Sequence, residues 1–204
     1  MAPPPGTLTS WGEFCAYASA AGAEFFGFVR PLPDVNRFAA RYRAASAFRG
    51  VVLDGYSDTT AAGYGELTRL LFTYSTFEVF LQICGKSQST IGPELERAGA
   101  IGLLKTLRAI DTDSRFYEFL HERVNPAHKT ELENYMANDP CNVAYLASAV
   151  RHIFAHGWLT PNAGGGEAAI AARICSELSG FLLYFMDQQF TTYVHRGLEE
   201  IHGA

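Results

Sequence analysis

ELTRLLFTYSTFEVFLQIC, at Glu66–Cys84, is the stretch of sequence that decides the fold. It is apolar on almost every face that a helix would present, so we expect a long helix at the centre of the molecule. Glu78 is the only charged residue in its second half. Because burying an isolated carboxylate is costly, we expect Glu78 to have a partner. Gly85 follows directly and is a favourable residue for ending a helix.

Patterns typical of helices flank this central segment on both sides. A first helix is expected from a cap at Thr9 or Ser10 to about Val29. Gly50–Gly65 is rich in glycine and is expected to be a loop. The chain has no internal repeat and no convincing set of strands, so we expect an all-α fold, a bundle of about six to eight helices. The other expected helices are Asp34–Phe48, Pro93–Ile110, Asp111–Val124, Pro126–Ala137, a segment that begins near Asp139 and Pro140, and one from Glu167 to about His195.

Length and composition predict one domain. The chain has 204 residues, of which 48% are hydrophobic, enough for one sizeable core. We expect residues 8–204 to form that domain and residues 1–7, which are rich in proline, to form a mobile tail. The net charge of −5 argues against a broad basic surface for duplex nucleic acid, although a few arginines can still hold one phosphate.

Cysteine usage and hydropathy predict a cytoplasmic location. The four cysteines are far apart and form no CxxC pair, so neither a zinc site nor a redox pair is expected and a reducing compartment fits best. The chain does not open with a charged segment followed by an apolar run, so no signal peptide is expected. The apolar runs are interrupted before about 18 residues, so no membrane span is expected.

A second stretch, RHIFAHG at residues 151–157, combines a cation with two imidazoles and ends at a glycine. On a helix of about 3.6 residues per turn, the polar side chains of this region fall opposite its apolar side chains. The polar side is therefore expected to face solvent, a groove or another chain. Its members are Tyr145, Ser148, His152 and His156, with Arg151 on their flank.

These residue types suit the cleavage of RNA. A histidine that titrates near neutrality can give and take protons, and an arginine can hold a phosphate. One histidine could deprotonate the 2′-hydroxyl of RNA or protonate the leaving oxygen, while the arginine stabilises charge on the phosphorane. Such a reaction needs no metal and no cofactor.

Simpler interpretations of the same residue types stay open. Arginine and histidine are common near helix C-termini because they interact with the last carbonyls. The pair His152 and His156 could bind a metal, but it lacks an adjacent carboxylate and a third ligand, so no metal site is expected. Arg37, Arg41 and Arg43 on an earlier helix are expected to form a solvated face, and the other interpretation is a track for RNA phosphates.

The 151–157 stretch resembles the Arg-x4–6-His signature of HEPN domains, in which a polar residue, here His152, often follows the arginine. Its place at the end of a late helix in an all-α chain is similar to that family, and Glu78 resembles an acidic position found in many members. The resemblance covers about residues 66–196 in layout, and only the motif and Glu78 residue by residue.

This resemblance implies roles for particular residues. Arg151 and His156 would be catalytic, His152 would be auxiliary, and Glu78 would orient the arginine. Tyr145 and Ser148, on the same side of the helix, are candidate supporting residues.

The resemblance also implies a function and partners. Many HEPN members are metal-independent endoribonucleases of toxin–antitoxin, phage-defence or RNA-processing systems, and a dimer brings two copies of the motif into one cleft. RNA would then be the substrate, a second copy of the chain a partner and, for a toxin, an antitoxin protein another. Other members only bind RNA, nucleotides or proteins, so a non-catalytic helical interaction module is the alternative.

Overall fold

The computed structural model describes the backbone of residues 6–202 and the side chains of residues 6–200. Regular structure in that range is entirely helical, so the expected all-α fold is confirmed. Residues 1–5 of the predicted mobile tail lie outside the described residues. The helices are α1 (Trp11–Ala21), α2 (Leu32–Ala47), α3 (Asp58–Ile83), α4 (Gly92–Arg97), α5 (Ala100–Ile110), α6 (Arg115–His121), α7 (Pro126–Met136), α8 (Val143–Ala155) and α9 (Ala168–His202), with 3-10 turns at Glu24–Phe26 and Ala163–Gly165.

Helix α3 occupies the centre, as its sequence predicts. It packs most extensively on α9, and α2 and α8 also pack against it. Leu67, Leu70, Phe77 and Phe80 of α3 are almost fully buried. This arrangement places α8, which carries the Arg151–Gly157 stretch, directly against the helix that carries Glu78.

The prediction of a loop over Gly50–Gly65 is wrong in its second half, because α3 begins at Asp58. The hydroxyl of Ser57 caps this helix by accepting a hydrogen bond from the backbone N–H of Thr60 at 3.3 Å. Gly63 lies inside the helix because another segment packs closely on it: a Cβ at Gly63 would lie 2.6 Å from the Cβ of Pro161. A glycine that normally indicates a turn here permits close packing.

Several predicted helix bounds also differ from those observed. The first helix ends at Ala21 instead of near Val29, because Gly22 leaves the helical conformation at φ 84°. Phe26 and Phe28, beyond this turn, are buried. The cap of α8 is Asn142, not Asp139, and its side chain accepts a hydrogen bond from the N–H of Ala144 at 3.0 Å. The predicted helix Pro93–Ile110 is divided into α4 and α5, that at Asp111–Val124 is reduced to α6, and the last helix extends to His202.

The N-terminal residues share the core of the remaining chain. Phe190 of α9 is fully buried, and its ring lies 5.5 Å from that of Phe14 and 5.5 Å from that of Phe28. Asp187 accepts hydrogen bonds from the backbone N–H and the hydroxyl of Thr9, at 2.7 and 2.6 Å. Buried apolar residues from Leu8 to Val194 form one cluster.

Within the described part of the chain, α9 is long and apolar enough to cross a membrane by length and composition. Its most apolar stretch has a mean hydropathy of 1.4, and half of that stretch is buried inside the protein. A buried core helix passes the same test, so the absence of a membrane span stays a prediction.

Candidate functional site

An ion pair joins the two helices that carry the predicted site residues. Nη2 of Arg151, on α8, lies 3.1 Å from Oε2 of Glu78, on α3. The two side chains are 33% and 42% exposed, so water screens the pair and its contribution to stability is at most about 1 kcal/mol. Its main physical effect is to fix the direction of the guanidinium. Nε of Arg151 is buried and has no hydrogen-bond partner among the described residues.

The end of α8 brings His156 and Trp158 to the surface. The backbone N–H of Trp158 donates to the carbonyl of Ile153 at 3.1 Å, and that of Gly157 donates to Phe154 at 2.9 Å. These two bonds form a Schellman motif, which requires the left-handed conformation that Gly157 adopts at φ 76°. The chain therefore turns back sharply, and Trp158, 60% exposed, lies with its ring 6.3 Å from that of His156.

Three imidazoles form a row along this surface. The rings of His152 and His156 are 4.5 Å apart at a steep angle, and the ring of His128, from α7, lies 6.5 Å from that of His152. The imidazole of His156 is exposed and makes no hydrogen bond with the described residues. This row gives the surface groups that can accept or donate protons beside the arginine.

Burial and neighbouring positive charge affect two of these histidines. Burial lowers the pKa of His152, and the charges of His156 and Arg151 lower it further. Burial also lowers the pKa of His128, with His152 adding to the effect. At neutral pH, His152 is therefore held in the neutral form that can accept a proton.

Ser148 lies elsewhere than the helical wheel predicts. It is only 8% exposed, because α7 covers it, whereas the prediction placed it on an outward-facing side. Its hydroxyl lies 2.9 Å from Nε2 of His128, whose Nδ1 lies 2.9 Å from the amide oxygen of Asn125. Since an amide oxygen only accepts hydrogen bonds, Nδ1 carries the hydrogen and Ser148 donates to Nε2. The hydroxyl of Tyr74, on α3, also interacts with Ser148.

His128 is the site residue that sequence reasoning missed. The pair Asn125–Pro126 indicates a helix start, which places His128 in the first turn of α7. Nothing in the sequence indicates that this turn covers Ser148, 20 residues later. Tyr145 is half-buried and lies edge-on to His128, with ring centroids 5.4 Å apart, so it supports His128 rather than Arg151.

The lowered pKa values of His128 and His152 predict acid sensitivity. Because the pKa values of these two histidines are lower in the folded protein than the ordinary 6.5, the unfolded chain binds more protons below pH 6.5 than the folded protein does. The contribution of the two neutral histidines to the free energy of unfolding is therefore complete above pH 6.5 and is lost as the pH falls below it. Urea unfolding at about pH 7.5 and about pH 5.5 measures this decrease. The decrease should be smaller in a His128→Gln variant. Parallel pH dependence in both proteins would contradict the assignment to His128.

Among residues 6–202, no group of three or more His, Cys, Asp and Glu side chains is arranged to hold a metal ion. No protein-family model, no curated protein and no solved structure matches the chain. The resemblance to HEPN domains therefore stays a prediction.

Proposed function

We propose that the protein is a metal-independent endoribonuclease of the HEPN type that acts as a symmetric homodimer. The observation that carries the proposal is the arginine of the motif, held by Glu78, on the same helix end as the exposed His156. The pair of Arg151 and Glu78 is partly exposed and adds little to the stability of the fold. Its role in the proposal is to orient the guanidinium of Arg151. A role as a toxin or phage-defence effector in the cytoplasm, with an antitoxin partner, extends the same proposal.

In the proposed reaction, the 2′-oxygen of RNA attacks the adjacent phosphorus and the bond from phosphorus to the 5′-oxygen breaks. One imidazole accepts the proton of the 2′-hydroxyl, and an imidazolium donates a proton to the 5′-oxygen as it leaves. His152, held neutral, is suited to assist at the first transfer, and His156 is the exposed group within reach of substrate. Arg151 stabilises the negative charge that develops on the phosphorane oxygens. The products carry a 2′,3′-cyclic phosphate and a 5′-hydroxyl.

The test is incubation of the purified protein with single-stranded RNA in the presence of EDTA. We expect cleavage products with 2′,3′-cyclic phosphate ends, and we expect DNA of the same sequence to stay intact because it has no 2′-hydroxyl. Cleavage that leaves 3′-hydroxyl ends, or no cleavage at any protein concentration, would sink the proposal. Sedimentation of the same sample measures the oligomeric state. A protein that is monomeric at all concentrations would contradict the proposed homodimer.

Loss of the Glu78 charge should impair catalysis more than folding. In a Glu78→Gln variant the guanidinium of Arg151 loses its charged anchor, and we expect cleavage to slow by about tenfold because orientation of the reacting groups is lost. The free energy of unfolding should change by less than about 1 kcal/mol, since the pair is partly exposed.

A matched control for Glu78→Gln exists on the same helix. Glu66 lies 3.5 Å from Arg69 in an ion pair on α3, away from the motif. A Glu66→Gln variant should therefore cleave RNA at the wild-type rate. Equal losses of activity in the two variants would assign a structural role to Glu78.

A non-catalytic RNA-binding module is the second candidate function. The observation that favours it is a cavity of about 700 Å³ between α2 and α3, which is lined by Arg30, Arg37, Arg41 and Lys86. Such a cavity can bind phosphates without any reaction. RNA that binds to the protein, as measured by fluorescence anisotropy, but is not cleaved in the presence of EDTA would support this second function.

A further inference from the structure

Two cavities of the protein share Lys86 in their walls. The first, the α2–α3 cavity, has a volume of about 700 Å³ and includes Glu78 in its wall. The second, the α9 cavity, has a volume of about 570 Å³ and lies between α4 and the C-terminal half of α9. Lys86 lines both cavities. A ligand could thus extend from α9 past Lys86 to the carboxylate that holds Arg151.

The two cavities concentrate positive charge on a protein whose net charge is −5. Six cationic side chains line them, against the three carboxylates of Asp34, Glu78 and Glu94. Asp34 pairs with Arg37 at 2.9 Å, and Glu94 pairs with Lys86. The cationic residues are Arg30, Arg37, Arg41, Lys86, Arg97 and Arg196.

Three of these cations are available to bind anions. Arg30, Arg41 and Arg196 are exposed, and none of them makes a hydrogen bond or ion pair with the described residues. An arginine fork without an internal partner is well suited to a phosphate. Their spread over both cavities fits an extended anion better than a single small one.

The α9 cavity adds surfaces for planar rings. Tyr184 is 57% exposed at its edge, and Tyr193 is half-buried, stacked on Phe28 with ring centroids 5.0 Å apart. Stacking against Phe28 leaves Tyr193 firmly supported, and the amide of Gln188 beside it can both donate and accept hydrogen bonds. An exposed tyrosine in a cavity that also contains arginines offers a surface on which a base of a single strand stacks while its phosphates are bound.

We propose that the α9 cavity and the α2–α3 cavity together bind single-stranded RNA. One base stacks on Tyr184 in the α9 cavity, a phosphate further along the strand is bound by Arg196, and the strand passes Lys86 toward Arg41. The strand then reaches the wall that contains Glu78, next to the Arg151 motif. The choice of RNA as the ligand rests on the proposed function, whereas binding itself requires no cleavage.

The test is fluorescence anisotropy with a fluorescein-labelled 2′-O-methyl oligouridylate, which cannot be cleaved through its 2′-oxygen. Arg196→Gln and Arg41→Gln should each weaken binding by about five- to tenfold and each reduce the slope of log K against log salt by about 0.7. Tyr184→Ala should weaken binding by about tenfold without changing the salt slope.

Matched controls lie on the same two helices. Arg173 of α9 and Arg43 of α2 are exposed arginines that line neither cavity. Arg173→Gln and Arg43→Gln should therefore bind the oligonucleotide as the wild type does. Losses in the controls equal to those in Arg196→Gln and Arg41→Gln would overturn the proposal. Uridine monophosphate that binds as tightly as the oligonucleotide would also overturn it, because one nucleotide does not need both cavities.

Failure of this proposal can be distinguished from failure of the catalytic one. If binding depends on Arg196 and Arg41 but the protein cleaves no RNA, the proposed binding surface is supported and only the proposed ribonuclease activity is contradicted. If Arg196→Gln and Arg41→Gln both cleave RNA at the wild-type rate, only the proposed binding surface is contradicted.

Discussion

Replacement of His156 by alanine is expected to slow RNA cleavage by about 10²- to 10⁴-fold, the usual contribution of a positioned acid or base. The imidazole is exposed and makes no hydrogen bond with the described residues, and His156 is the C-cap residue that directly follows α8. Its removal therefore leaves the ion pair of Arg151 and the packing of α8 in place. Initial rates of cleavage in EDTA, with the melting temperature of each protein, measure both effects.

The matched control for His156→Ala is His195→Ala. His195 is also exposed, lies on α9 and is remote in sequence from the motif, with Nε2 3.4 Å from Oε2 of Glu13. Wild-type rates in His195→Ala and strongly reduced rates in His156→Ala are the expected pair of results. A His156→Ala variant that is folded and fully active would exclude His156 from the reaction.

The largest loss of stability is expected from Phe190→Ala. The Phe190 ring is fully buried among aromatic rings from α1, α2 and the segment between them, at centroid distances of 5.5 to 6.1 Å. Truncating a buried phenylalanine removes apolar contacts and leaves a cavity, which costs about 3–5 kcal/mol. Urea unfolding should show a lower midpoint with an unchanged slope. The neighbouring rings are those of Trp11, Phe14, Phe28 and Phe38.

Phe190→Leu is the graded control for this prediction. Leucine keeps much of the buried volume, so its cost should be well below that of alanine. Because the ring joins the first forty residues to α9, both variants should unfold in one transition. A separate early transition, with α3 and α9 still folded, would show that the N-terminal helices are dispensable for the core.

The central helices could be predicted from sequence because their signals are strong and local. Glu66–Cys84 is apolar on almost every face, and a largely buried helix accommodates such a pattern. The start of α3 could not be predicted from local sequence, because Gly63 and Gly65 lie inside the helix only to allow other segments to pack closely on them. Pro161 lies almost a hundred residues from Gly63, and no local rule connects the two.

Some residues of the candidate site could likewise be predicted from the sequence, and others could not. The helical wheel correctly groups His152 and His156, because both lie on one face of one helix. It fails for Ser148, which α7 covers, and it cannot find His128, which belongs to that covering helix. The same limit applies to Arg41, since membership of a cavity depends on how α2 meets α3.

The sharp turn at Gly157 has an optical consequence. It holds the indole of Trp158 at the surface, beside the imidazole of His156, where the ring is open to a ligand. The second tryptophan, Trp11, lies in the aromatic core and can be replaced by phenylalanine to leave one reporter. Stacking of an RNA base on the exposed ring then changes the emission of that single indole. The protein thus contains a label-free probe at the centre of its proposed chemistry.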